Sequence, residues 1–408
     1  MGTEIDTHNV RDSIIRFVFG NQGLLYDLSL EDTKLWRINK QQGGRSAAPP
    51  RPYTLDGLKP MPDPSALPAP PSQNTPRTSI DLHQPAGLEP VSIAKPWGRE
   101  LWFTGVEARG ESLVQTSSGQ IPLSQYLAMG RERVCNGREL LLLKILEPNP
   151  APILGNLYLE AHRSKHEVYV VTHVDESAWP DGVGAVRLGA NQRLRHQFAD
   201  DEAFRRAFLS AVRDYEAIRR AADEGTHVDP QAEIAKREAM EAFTELVSVR
   251  PGDVVNVPPW QPHSLQHGVR VVELQTPTFE RLIISFAQPV LTQEHWDSDE
   301  AIMGLDLAPP APPDVVPVAQ GIEQIGRFGD IAAWRVRIGP HRSMNLDFLP
   351  HYAACICLSG SVTANGLTRH VEQACLIPHA ALPLTLTNPT AEPTVCLVAG
   401  PAATTAPD

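Results

Sequence analysis

Between Arg138 and Phe286, apolar residues gather in short runs: "RELLLLKIL", "NLYLEAH", "EVYVV", "DVVNVPP", "VRVVELQT" and "RLIISFA". Glycine, proline and polar residues bound each run, a pattern that predicts the short strands of a sandwich or barrel. One region has another period. "DDEAFRRAFLSAVRDYEAIRRAADEG" places its apolar positions on one helical face, starts acidic and stops at Gly225. "DPQAEIAKREAMEAFTELV" follows, with Asp229 as the expected N-cap and Pro230 in the first turn. We read residues 198–248 as a helical insertion in a β domain. Further on, "DIAAWRVRI", "AACICLSGSVTA" and "TVCLVAG" are again strand-like. The expected class is mainly β: two related barrels, the first carrying the helices.

Proline marks the joints. It fixes φ and offers no N–H, so proline-dense stretches stay extended. One lies within residues 46–92, after an N-terminal segment of residues 1–45. Another, "LAPPAPPDVVPV", spans residues 307–318 and reads as a connector. These place a first barrel at residues 93–306 and a second at 319–402. With 408 residues, two domains are the default.

Composition narrows the partners. The formal charge is −12 with no dense basic run, which argues against nucleic acid or an anionic membrane. The N-terminus lacks a signal-peptide pattern, and no segment has the ~20 apolar residues of a membrane span. Five cysteines, an odd and sparse count, read as reduced thiols. A cytoplasmic protein, monomeric or homodimeric, is expected. Cys355 and Cys357 share one strand face, where core packing is the simplest role.

The densest chemistry sits in "GNLYLEAHRSKHEVYVV". Glu160 and His162 are two apart and share one face of a strand. A hairpin at "RSK" would bring Glu167 back against them. "GDVVNVPPWQPHSLQHG" then supplies a strand, a proline-rich turn and His263. Two imidazoles and two carboxylates pointing into one barrel suit a divalent first-row metal: zinc first, with manganese, iron or nickel open. His166 points away from Glu167 and reads as structural or rim; His267 reads as lining the mouth.

The joint spacing resembles the two motifs of the cupin superfamily. Gly155, then Glu160-Ala161-His162, four residues and Glu167 resemble the first. Gly252, Pro258-Pro259-Trp260 and His263 resemble the second, with Glu160 in place of a histidine and Trp260 in place of a glycine. A narrower resemblance is to the type I mannose-6-phosphate isomerases, through "KPWGRELWFTG", "LLLLKILEPNPAPILGNLYLEAH", "KHE" and "ELQTPTFERLI". That resemblance implies two jelly-roll barrels and metal ligands Glu160, His162, Glu167 and His263. It also implies a catalytic Arg281, with Lys144 and Lys165 beside the reacting atoms. The implied reaction interconverts an aldose and a ketose phosphate, mannose 6-phosphate and fructose 6-phosphate in the family, on a small-molecule sugar or sugar phosphate.

Several positions depart from the family. Glu160 stands for a glutamine, Tyr158 for a serine, and "GVEARGESL" for a Gly-x-His-Pro-Lys segment. A carboxylate in place of an amide cancels one positive charge, so the site attracts a phosphorylated sugar less strongly. In the second barrel, Pro383 stands where the last ligand histidine belongs, and a structural role is expected. Two other functions fit the same ligand types: an iron-dependent cupin oxygenase and a non-catalytic sugar-binding cupin.

Overall fold

A computed structural model describes residues 80–107, 110–117, 119–278, 280–288 and 296–403. The N-terminal segment, most of the first proline-rich stretch, and Ala108 and Arg109 of "GVEARGESL" lie outside the described residues.

The chain is mainly β, built from several antiparallel sheets with a helical insertion. A six-stranded sheet runs in the order Val254–Val257, Glu167–Val174, Val269–Gln275, Leu142–Pro148, Gly98–Trp102, Val91–Lys95. A five-stranded sheet faces it, in the order Thr244–Val249, Gly184–Ala190, His263–Leu265, Leu159–Ala161, Leu282–Ser285. Between them Leu146, Tyr169 and Val171 of the first meet Val186, Leu188 and Leu265 of the second. The other face of the six-stranded sheet is buried too. Leu143, Ile145, Val168, Val170, Val272 and Leu274 pack there against Ile331, Ala333, Ile356 and Leu397 of a nine-stranded sheet. Burial on both faces explains why these strands read as continuous apolar runs. It also means that any charge on the inner face is a deliberate exception to the composition around it.

The nine-stranded sheet carries most of the C-terminal barrel, yet three of its strands come from earlier in the chain: Ala86–Glu89, Leu113–Thr116 and Gly119–Pro122. Its far face closes on a four-stranded sheet over a core that includes Trp334, Leu386 and the sulfurs of Cys355, Cys357, Cys375 and Cys396. All five cysteines are buried and free.

The insertion holds two main helices, Asp201–Asp223 and Pro230–Glu241. Asp200 caps the first by accepting the N–H of Ala203, and Gly225 follows its end at φ +86°. Phe204, Phe208, Val212 and Tyr215, spaced three or four apart, form its buried stripe. Each large side chain contributes about 2–3 kcal/mol by burial. Asp229 caps the second helix, with Pro230 in its first turn. The helical pattern of "DPQAEIAKREAMEAFTELV" ends at Glu241, and Thr244–Val249 is a strand paired with Gly184–Ala190. The helices lie on the outer face of the five-stranded sheet, against Leu159, Ala161 and Leu282. Among the described residues no helix is long and apolar enough to cross a membrane.

Candidate metal centre and its hollow

The two sheets of the first barrel bring the candidate ligands together across their gap. Glu160 and His263 face each other on neighbouring strands of the five-stranded sheet. Glu167 comes from the opposite sheet, paired with Gln275 and Val257. The expected hairpin at "RSK" is therefore replaced by a crossing from one sheet to the other. Five residues, His162 to His166, make the crossing from the strand Leu159–Ala161 to the strand that begins at Glu167.

Glycine makes one approach possible: a Cβ at Gly155 would collide with the carbonyl of Asn149. The motif's other departure is instructive. Trp260 sits at φ +63°, the left-handed region that favours glycine. Its N–H donates to the carbonyl of His162 at 2.7 Å, so the turn before His263 is tied to the other imidazole.

Ligand atoms of Glu160, His162 and His263 all lie within 4.8 Å of one another, a group that could hold a metal ion. Glu167 adjoins both rings: its Oε1 is 3.2 Å from His162 Nε2 and its Oε2 is 3.4 Å from His263 Nε2. Neither Nε2 is satisfied by a well-aimed hydrogen bond, although both are buried. Buried polar atoms are normally partnered, so two orphan ring nitrogens converging beside carboxylates fit a cation. His263 Nδ1 lies 3.0 Å from the carbonyl of Gln261. That contact places the proton on Nδ1 and leaves Nε2 as a lone pair facing the group. Burial holds His162 below its ordinary value against the pull of Glu167, favouring the neutral, ligating form. For His263 burial acts the same way, but the Glu167 carboxylate beside its ring outweighs it and the net shift is upward. Burial also works to raise Glu167, yet Lys165 and His162 overcome it and hold the carboxylate well below the usual range. The donor set thus fits a divalent ion.

Beside this group the barrel opens into a hollow. Its floor is a row of side chains directly opposite one another on the six-stranded sheet: Trp102, Lys144, Glu273 and Tyr169. Lys144 Nζ lies 3.1 Å from Glu273 Oε2 and 3.8 Å from Glu100 Oε2. Lys95 reaches Glu100 at 3.2 Å, and the Trp102 indole donates to Glu100 at 2.5 Å. Lys165 Nζ donates to Glu167 Oε1 at 2.7 Å, and the Tyr169 hydroxyl donates to its Oε2 at 2.5 Å. Arg281 lies over the Tyr158 ring at 5.3 Å and 4.0 Å from Glu160 Oε2. Lys144, Lys165 and Arg281, expected beside the reacting atoms, all line this hollow with Glu160 and Glu167.

Two histidines stand elsewhere. His166 stacks on Phe328 and faces Asp330 at 3.3 Å. His267 stacks on Trp179 and contacts Asn156, outside the lining of the hollow where a mouth position was expected. Conversely, Glu100 and Glu273 are buried participants that sequence reasoning did not single out. Burial pushes the Glu273 carboxyl up to about 8 despite Lys144. Burial acts on Glu100 too, but Lys144 and Lys95 together bring it down to about 2.

No family model and no curated protein matches the sequence. Solved structures do match. An arginine-to-alanine mutant of phosphomannose isomerase from Salmonella typhimurium superposes with a TM-score of 0.60, covering 78% of this chain and 100% of that one at 13% identity. The fold is that of the phosphomannose isomerases. Mannose 6-phosphate isomerase from Bacillus subtilis agrees, with a TM-score of 0.55 over 78% of this chain and 99% of its own at 15% identity. Identity this low speaks for the fold, not for a shared substrate.

Proposed function

We propose that the protein is a metal-dependent aldose–ketose isomerase related in chemistry to mannose-6-phosphate isomerase. The observation that carries this reading is the convergence of Glu160, His162 and His263, with Glu167 against both rings, at the edge of a hollow lined by buried acid–base groups. Glu160, His162, Glu167 and His263 would hold a divalent cation, zinc being the first choice for this nitrogen and oxygen donor set. Such a cation supplies Lewis acidity to the carbonyl and hydroxyl oxygens of an open-chain sugar.

The chain's own groups divide the remaining work. Lys165 holds Glu167 in its ionised form and orients it toward the imidazoles. Arg281, beside Glu160, is placed to steady negative charge developing on the substrate. Moving a proton between adjacent carbons needs a group that titrates near neutrality. Lys144 is unsuited to take up that proton, because Glu273 and Glu100 outweigh burial and raise its ammonium above the ordinary lysine value. It serves instead to position Glu273. Glu273, raised to about 8 and with Oε1 bare, is the better proton carrier. An iron-dependent oxygenase would use similar ligands, and turnover without oxygen separates the two.

The test is metal analysis of the purified protein followed by a panel of aldoses, ketoses and their phosphates monitored for interconversion under anaerobic conditions. About one divalent ion per chain and oxygen-independent interconversion are expected. His263→Ala should remove both together; a variant that keeps metal and turnover refutes the site.

A further inference from the structure

Two carboxylates meet the imidazoles, and the protein holds them differently. Glu160 has His162 Nε2, His263 Nε2 and Arg281 Nε at 3.7, 3.8 and 4.0 Å, all beyond a hydrogen bond. Glu167 is held at both oxygens by the chain itself: Lys165 Nζ donates to Oε1 and the Tyr169 hydroxyl to Oε2. Lys165 does so through a flexible stem. Tyr169 is rigid by comparison. It is 2% exposed and belongs to the core between the two sheets, with Leu146, Val171, Val186 and Leu265. It stands two residues after Glu167 on one strand, so both side chains project to the same face and the phenol reaches its neighbour's carboxylate.

A buried hydroxyl could take this acceptor merely because it needs one. Elsewhere in the chain that need goes unmet: among the described residues, the buried hydroxyls of Tyr126 and Tyr215 have no hydrogen-bond partner. The Tyr169 hydroxyl differs from them in what it touches, a carboxylate whose oxygens lie 3.2 and 3.4 Å from two unsatisfied ring nitrogens. A carboxylate oxygen has two lone pairs, so Oε2 can accept from Tyr169 and still turn the other toward the imidazoles. Without the hydroxyl the carboxylate is free to rotate about its last bond and to close on His263, a contact that an arriving cation would have to break.

We infer that Tyr169 is a positioning residue of the metal centre. It acts through Glu167, setting the orientation of that carboxylate before a divalent cation binds. This rests on the reading of Glu160, His162, Glu167 and His263 as a metal site.

The test is titration of the metal-free full chain with Co²⁺, read by calorimetry and by the visible absorption of the bound ion, which reports how its ligands are arranged. The parent, Tyr169→Phe and Tyr215→Phe are compared. Removing a group that orients a ligand costs about 10–100-fold in metal affinity. Tyr169→Phe should therefore bind cobalt at least about tenfold more weakly and with an altered absorption band. Tyr215→Phe, which also loses a buried hydroxyl, should change neither. Parent affinity in Tyr169→Phe, an unaltered band, or an equal loss in Tyr215→Phe overturns the inference and leaves the metal site in place. A parent that takes up no cobalt overturns both. If Tyr169→Phe does not fold, 3-fluorotyrosine at this position keeps the ring and the hydroxyl but donates more strongly; an unshifted cobalt band in that variant overturns the inference.

Discussion

Replacing Lys144 by methionine keeps the stem of the side chain and removes the ammonium that faces Glu273 and Glu100. At 3.1 Å from Glu273, the attraction is about 5 kcal/mol at an effective dielectric of 20. Removing the buried ammonium also removes its desolvation cost, so the net loss is smaller. Breaking a buried pair costs ~3–5 kcal/mol, and Glu273 softens this by keeping its proton. Glu100 loses less, because Lys95 and the Trp102 indole remain. About 3 kcal/mol at pH 9, where Glu273 is ionised in the parent, is therefore expected for Lys144→Met, or a fall of roughly 3–6 °C in the thermal midpoint. Adding Glu273→Gln removes the stranded carboxylate, so the double variant should recover at least ~1 kcal/mol of that loss. Urea and thermal unfolding of the parent, both single variants and the double variant supply the cycle. Near pH 5, where Glu273 is protonated in the parent as well, the penalty of Lys144→Met should shrink. A penalty below ~0.5 kcal/mol, or strict additivity in the cycle, would refute the coupling on which this description of the floor rests.

Two further outcomes are expected. The folded Glu273 carboxyl titrates near 8 against an ordinary 4.5, so the folded state binds the extra proton between these values and stability rises as pH falls from 8 to 4.5. Below 4.5 the sign reverses: Glu100, at about 2 when folded, is protonated first in the unfolded chain, and roughly 3 kcal/mol is lost toward pH 2. Unfolding midpoints against pH should thus peak on the acid side of neutrality, and a flat profile from pH 4 to 8 counts against both shifts. Separately, a Cβ at Gly304 would collide with the indole of Trp260. Gly304→Ala should cost about 1–3 kcal/mol in urea unfolding and weaken metal retention, because Trp260 is tied to His162.

How much of this was legible in the sequence follows from what each signal depends on. The helix Asp201–Asp223 was legible because its period, its acidic cap and Gly225 are all local. The ligand candidates were legible because Glu160 and His162 share a strand face and the spacings resemble a known pair of motifs. The route by which Glu167 arrives was not, since a short polar stretch can turn a hairpin or cross between sheets, and only the partner strands decide. Glu273 was hidden in "VRVVELQT" for a similar reason. Its alternation does mark Val269, Val271, Glu273 and Gln275 as one face, but nothing local says which face looks into the barrel. The signal that might have found it is a carboxylate within a strand apolar on both sides, which is expensive unless a cation such as Lys144 stands opposite. Likewise, the strands Ala86–Glu89, Leu113–Thr116 and Gly119–Pro122 complete the C-terminal sheet, a pairing across nearly three hundred residues that no local pattern encodes.

Trp260 shows how the turn before His263 forms without the glycine of the resembled motif. The left-handed conformation at this position costs a non-glycine residue about 1–2 kcal/mol. It is nonetheless adopted, at φ +63°, because the turn must aim the Trp260 N–H at the carbonyl of His162 and deliver His263 opposite Glu160. The indole offsets the strain by packing on the helix Ser298–Gly304, and Asp306 closes the arrangement by donating its N–H to the Trp260 carbonyl at 2.9 Å. A residue that violates the sequence motif thus preserves the backbone geometry the motif exists to provide. The change at Glu160 is of the opposite kind: its place on the strand is kept, but the charge is new.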